Sequence, residues 1–185
     1  RAGGKKGFCC VAGTTIRCAR AALHMWEEPC ISGTRGSGAV FFSGCALHCV
    51  FCQNHNIANG TAGKLITAKR LAEIFLELQE QGANNINLVT AGHFVPQVIA
   101  ALKLAKEQGL VLPVVYNTSA YEEVDTLRML EGYVDIYLPD LKYVDTKLSQ
   151  TYSHAADYFE KASAAIAEMV RQTGAMEFVE EQQIG

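Results

Sequence analysis

Cys45, Cys49 and Cys52 fall within eight residues, in the run Ser43-Gly44-Cys45-Ala46-Leu47-His48-Cys49-Val50-Phe51-Cys52-Gln53-Asn54. The spacing is C-x3-C-x2-C. Thiolates are soft donors that suit iron–sulfur clusters, zinc or Cu(I). Three in one loop can wrap three corners of a cubane. With no fourth cysteine nearby, one iron would lack a protein ligand, and an open coordination position marks a catalytic metal rather than a structural one. A structural zinc site is the rival, with His48 or His55 close enough in sequence to supply the fourth ligand. A thiol redox pair, Cys49-x-x-Cys52, is a weaker reading: it should open a helix after a strand, and it leaves Cys45 unexplained.

The elements that must hold this loop follow a regular alternation. Residues 39–42 form a short apolar run bounded by glycines, a strand candidate. Further strands are expected at 86–89, 111–116 and 133–138. Between them, Thr67 can cap a helix with Leu71, Ile74, Phe75 and Leu78 on one face, and Gly82 is placed to end it. Helices are also expected over 96–108, 121–131 and 155–172, each followed by a glycine. Strands alternating with helices argue for βαβ units and a parallel sheet, an α/β fold. Crossovers are right-handed in ~98% of cases, so the sheet curls into a barrel or a doubly wound stack, and the sequence barely separates these. Residues 1–36 read as an irregular N-terminal segment, 37–174 as the β/α core, and 175–185 as a tail without a convincing fifth strand. The parallel sheet is expected to stop at four strands, with the fourth an exposed edge.

Ligands of parallel α/β folds bind at the carboxyl ends of the strands. The cysteine loop follows the first strand and Thr90-Ala91-Gly92-His93 the second. Asn117-Thr118-Ser119 follow the third, and Asp140 and Lys142 the fourth. The chemistry-bearing groups should therefore converge on one rim.

Bulk properties bound the partners. The chain has 185 residues, 49% of them apolar, enough for one domain with a sizeable core. Net charge is −3, with no basic block, so nucleic acid is not the expected partner. No apolar run approaches the ~20 residues of a membrane span. The N-terminal residues lack a signal-peptide core and a starting Met. Seven cysteines, three of them clustered, suit a metal site in a reducing compartment, hence the cytoplasm.

The cysteine spacing, with aromatic Phe51 just before the last cysteine, resembles the cluster motif of the radical S-adenosylmethionine (SAM) superfamily. The run from His24-Met25-Trp26-Glu27-Glu28-Pro29-Cys30 to Gly38 is similar to a subgroup labelled pyruvate formate-lyase activating enzyme-like. So are the strand ends Asn85–Thr90, Val115–Ser119 and Asp135–Lys142. The resemblance covers about residues 7 to 174 and implies an incomplete (β/α)6 partial barrel with about four β/α units. It implies that the three cysteines hold a [4Fe–4S] cluster whose unique iron is chelated by SAM. One electron from the reduced cluster would break the C5′–S bond, giving methionine and a 5′-deoxyadenosyl radical. That radical would abstract hydrogen from a substrate, in activating enzymes a glycine of a partner enzyme. An electron donor such as flavodoxin or ferredoxin is implied as well.

The resemblance also assigns site residues. Phe51 matches an aromatic residue near the adenine, with loop packing as the plainer role. Asn54 either bonds the cofactor or caps the loop. Thr90 begins the stretch where many relatives carry Gly-Gly-Glu for the SAM amino group; the Glu is absent here, and the resemblance leaves Thr90 to take over part of that contact through its hydroxyl or backbone. His93 faces substrate or caps the next helix. Asn117, Thr118, Asp140 and Lys142 match positions that contact SAM or a nearby cation. A buried Asp140 and Lys142 would need partners, which a zwitterionic sulfonium would supply; otherwise they form a surface pair worth under ~1 kcal/mol. Trp26, Glu27 and Glu28 read as anchors of the N-terminal segment, Arg35 as solvated or as a contact to a substrate or cofactor carboxylate, and Tyr116, Tyr121 and Tyr133 as packing. The resemblance further implies a chain lacking the start of an N-terminal module and a fifth strand, with cluster assembly expected and SAM cleavage weak.

Overall fold

The computed structural model describes residues 6–174. The core is a sheet in which β2 (Ser37–Phe42), β4 (Ile86–Val89), β5 (Val114–Thr118) and β6 (Ile136–Pro139) run parallel. Two antiparallel strands, β1 (Ile16–His24) and β3 (Lys64–Ile66), extend it, giving the order β3-β1-β2-β4-β5-β6. The principal helices are α3 (Ala68–Glu80), α4 (Val95–Glu107), α6 (Thr146–Ser153) and α7 (Tyr158–Thr173). Short helical turns α1 (Pro29–Ser32), α2 (His55–Ala58) and α5 (Val124–Arg128) complete it.

Local chemistry accounts for the elements. Strand β2 is buried at five of its six positions, as expected of a parallel strand covered on both sides. Helix α3 begins where Thr67 accepts a hydrogen bond from the Arg70 N–H at 3.1 Å. Its Leu71, Ala72, Ile74, Phe75 and Leu78 are buried, one face at helical spacing. Alternation along the strands then decides the architecture. Val40, Phe42, Ile86, Leu88, Val114 and Tyr116 pack in one core with residues of α3, α4, α5 and α7. Phe41, Val89 and Asn117, one residue out of phase, line an open cavity instead. Helices cover one face and a cavity occupies the other. That is a partial barrel, not a doubly wound stack.

The segment 1–36 is not irregular throughout, because β1 takes nine of its residues. Ile16–His24 carries no clean alternation, and its strand character comes from pairing on both sides with β2 and β3. The third strand begins later than expected because Val111 is exposed and Pro113 has no N–H for the ladder. The fourth starts at Ile136, since residues 133–134 belong to the turn after α5. The expected helix over 121–131 is reduced to α5. Helix α6 was not anticipated; Asp145 caps it by accepting from the Leu148 N–H at 2.9 Å. Strand β6 is an edge of the described sheet. The tail 175–185 lies outside the described residues.

Candidate functional site

The cysteine loop leaves β2 at Phe42 and is pinned at once. Ser43 N–H donates to the Arg17 carbonyl (2.9 Å), and Gly44 N–H donates to the Ile57 carbonyl (2.9 Å). Gly44 has φ +100°, and a Cβ there would lie 2.4 Å from the Cys9 carbonyl oxygen, so only glycine lets the loop turn against the N-terminal segment. His93 donates from Nε2 to the Ser43 carbonyl (2.9 Å), holding the loop rather than capping a helix. Leu47 is buried with Ala120, Ala155, Tyr158 and Ala162. Val50 N–H donates to the Tyr152 carbonyl (2.9 Å). The Ser153 hydroxyl lies 2.9 Å from Cys49 Sγ as a donor, and Tyr143 OH is 2.7 Å from the same hydroxyl.

All three cysteines are half-buried and unpaired by disulfide. Burial pushes the Cys45 thiol above its ordinary value, and the Cys49 and Cys52 thiols beside it push the same way. His48 turns away from them, its Nε2 3.0 Å from the Phe8 carbonyl and 3.6 Å from Cys10 Sγ. His55 is exposed at the start of α2 and does not line the cavity. Among the described residues, no three Cys, His, Asp or Glu side chains surround one ion position.

A cavity of about 390 Å³ opens beside the loop, lined by Cys45, Cys49, Cys52, Phe51 and Asn54. Thr90 from the end of β4, Asn117 and Thr118 from β5, and Asp140 and Lys142 beyond β6 line the same cavity. The ten residues singled out in the sequence thus surround one space. Phe51 is 55% exposed and meets Tyr143 edge-on, ring centroids 6.3 Å apart. Asn54 precedes α2 but makes no capping bond with its side chain, which leaves the amide to the cavity. Thr90 sits at φ +59°, an uncommon conformation for a threonine, with its N–H on the Asn117 carbonyl (3.0 Å). Arg35 is elsewhere, donating to Asn84 Oδ1 (2.9 Å).

Asp140 and Lys142 are not a buried pair. The Asp140 side chain is 68% exposed and Lys142 22%, and they form an ion pair at the cavity mouth. Their backbone is held from below by Tyr158, whose ring is fully buried. Its hydroxyl accepts from the Lys142 N–H (2.9 Å) and reaches the Ser119 and Asp140 carbonyls, each at 2.8 Å.

Two carboxylates escaped the sequence reading as site residues. Glu122 accepts from the Thr118 hydroxyl (2.7 Å) and Tyr116 OH (3.3 Å), and a Cβ on Gly92 would lie 2.2 Å from its Oε2. Burial raises its carboxyl above the ordinary value. By taking the Thr118 proton it leaves that hydroxyl oxygen free to accept from a ligand. Glu27, read as an anchor, does tie the N-terminal segment to the barrel: its Oε2 accepts from Asn87 Nδ2 (2.8 Å) and Asn117 Nδ2 (3.1 Å). It also lines the cavity. No local periodicity marks either residue; the Glu27–Glu28 pair was the only available signal.

The family model described as the Radical SAM superfamily matches residues 39–174. The chain belongs to the radical SAM superfamily. The match begins in β2 and runs to the end of α7, so it contains the cysteine loop and the ends of β4, β5 and β6 at the cavity. The chain is 31% identical over 145 residues to an uncharacterized protein of Methanocaldococcus jannaschii, covering 75% of this chain and 41% of that protein. It is 33% identical over 111 residues to the pyruvate formate-lyase-activating enzyme of Clostridium pasteurianum, covering 57% of this chain and 45% of the relative. The chain therefore spans less than half the length of these curated relatives. Among the described residues, no helix is long and apolar enough to cross a membrane.

The donor set fits the superfamily's cofactors. Three soft thiols share one loop, a hydroxyl donates to one of them, and polar groups face them across a cavity.

Proposed function

We propose that this chain carries the catalytic core of a radical SAM enzyme, with a [4Fe–4S] cluster on Cys45, Cys49 and Cys52 and SAM in the adjoining cavity. The observation that carries this reading is the shared cavity: three thiols and the polar groups of three further strand ends line one space. When bound, the reduced cluster supplies the electron that cleaves SAM, and the radical released takes a hydrogen atom from substrate. The protein's own groups bind and orient. Ser153 donates to Cys49 Sγ, which stabilises thiolate charge. Phe51, backed edge-on by Tyr143, walls the site with apolar surface. Thr90, Asn117, Thr118 and Asn54 offer hydrogen bonds to a nucleoside and an amino acid moiety, and the Asp140–Lys142 pair offers both charges at the mouth.

The relative named pyruvate formate-lyase-activating enzyme favours a protein substrate of the glycyl radical type; such chemistry would draw its electron from a small donor such as flavodoxin or ferredoxin, and the clustered cysteines suit the cytoplasm. Anaerobic reconstitution with iron and sulfide tests the reading. The expected result is a brown protein absorbing near ~400 nm, which releases methionine and 5′-deoxyadenosine from SAM under reduction. Cys45→Ala should lose both colour and cleavage. A colourless protein that holds one zinc and refuses iron would identify a zinc-stabilised binding module instead.

A further inference from the structure

Strand β1 is covered along only part of its outer side. There β3 pairs with Ile16, Arg17 and Cys18 and stops, whereas β2 pairs along the other side as far as His24. The neighbouring strand shows which way the remaining backbone groups point. Gly38 N–H donates to the Asn85 carbonyl (2.9 Å), toward β4 and away from β1. Successive residues of a strand turn their N–H and C=O to opposite sides. Ser37, Ala39 and Phe41 therefore face β1, and their partners His24, Ala22 and Arg20 face back. Ala21 and Leu23 are left with N–H and C=O directed outward. No turn, loop or side chain among the described residues bonds them.

A groove of about 450 Å³ lies beside this open edge, between it and α3. Ile66, Ile74 and Leu78 give it apolar surface. Its charge is one-sided. Arg70 is engaged by Glu73 and Glu77, and Arg17 donates to the Thr61 and Gly63 carbonyls. Arg20 and Lys64, both exposed, also line the groove, and neither has an acidic partner among the described residues. Unmatched cations thus stand at this edge of a chain whose net charge is −3. The groove shares no lining residue with the cysteine cavity.

We propose that the open edge of β1 takes up an extended acidic segment of a partner protein as an added strand. The segment's backbone pairs with Ala21 and Leu23, alternate apolar side chains enter the groove against α3, and carboxylates meet Arg20 and Lys64. In strand addition main-chain bonds give affinity and alternate side chains give selectivity. A second copy of the chain is the poorer occupant. An isologous contact would bring Arg20 and Lys64 of both copies into one interface, and Glu77, the groove's carboxylate, is already held by Arg70. The proposal concerns a surface apart from the cysteine loop and does not depend on the chemistry assigned there.

The test uses the peptide acetyl-Glu-Val-Glu-Val-Glu-Val-Glu-amide as probe, with a control in which lysine replaces every glutamate. Binding to the full chain is followed by calorimetry and by NMR of the peptide. The acidic probe should bind about tenfold tighter than the basic one, the scale of two exposed ion pairs gained rather than opposed. Two further probes carry N-methyl groups on all valines or on all glutamates. Only one of these sets turns its N–H toward β1, so one probe should lose binding and the other keep it. The double variant Arg20→Glu, Lys64→Glu should reverse the charge preference without moving the thermal midpoint, since neither side chain has an acidic partner to lose. No binding of the acidic probe, equal binding of acidic and basic probes, or equal binding of the two N-methylated probes would overturn the proposal. So would a preference that survives in the double variant. Sedimentation that shows a dimer displaced by the probe would give the edge to a second copy and overturn it as well.

Discussion

Replacing Tyr158 by phenylalanine removes one atom from beneath the Asp140–Lys142 segment. The ring should stay, because it is fully buried, stacked on Tyr121 at 5.9 Å and met edge-on by Tyr143 at 5.3 Å. The hydroxyl serves three backbone groups: it accepts from the Lys142 N–H and shares its proton between the Ser119 and Asp140 carbonyls. Each buried group left unsatisfied costs about 1–3 kcal/mol. The segment lies near solvent, so water can reach some of these groups, and the proton serves one carbonyl at a time. The loss should total about 2–3 kcal/mol. At roughly 2–4 °C per kcal/mol for a chain of this size, the thermal midpoint should fall by about 5–10 °C. Denaturant unfolding of both proteins under argon measures the loss directly. A change below about 0.5 kcal/mol, the range of an unremarkable surface substitution, would show that Tyr158 does not brace the loop. The same variant should weaken SAM binding, since Asp140 and Lys142 lose their support from below.

Two further outcomes follow from single contacts. Ser153→Ala should leave iron and sulfide content intact but lower the cluster's midpoint potential, on the order of tens of millivolts, because a donor to Cys49 Sγ stabilises the more negative, reduced state; redox titration followed by electron paramagnetic resonance checks it. Glu122→Gln should alter the pH dependence of stability. Burial raises the Glu122 carboxyl above its ordinary value of 4.5, so the folded chain holds this proton more tightly than the unfolded one. Stability contributed by the site is complete below that value and is lost as pH rises through the raised folded one. Glutamine does not titrate, so the variant should gain on the parent between mildly acidic and neutral pH; parallel stability curves would refute the assignment.

Hydrophobic runs bounded by glycine placed the parallel strands to within a few residues, since strand and helix periods are local properties of the chain. The rim was legible for the same reason: once strands are located, the residues following them must share one end of the sheet. The cysteine spacing is local too, and it spoke for soft-metal chemistry without any fold. Strand β1 was not legible, because Ile16–His24 owes its conformation to partners on both sides. Whether the sheet forms a barrel or a stack depended on which face the helices cover, and alternation along a strand does not say what lies on either side. Ser153 reaches Cys49 across 104 residues, and Glu27 meets Asn117 across 90. Tyr158 braces a loop 16 residues before it in the chain. Such contacts leave no periodic trace, because a single hydrogen bond between distant elements constrains one residue at each end and nothing around it. Chain chemistry therefore determined that soft thiols stand at one rim of the sheet, while tertiary packing alone decided that Ser153 meets Cys49 and that Glu27 meets Asn117.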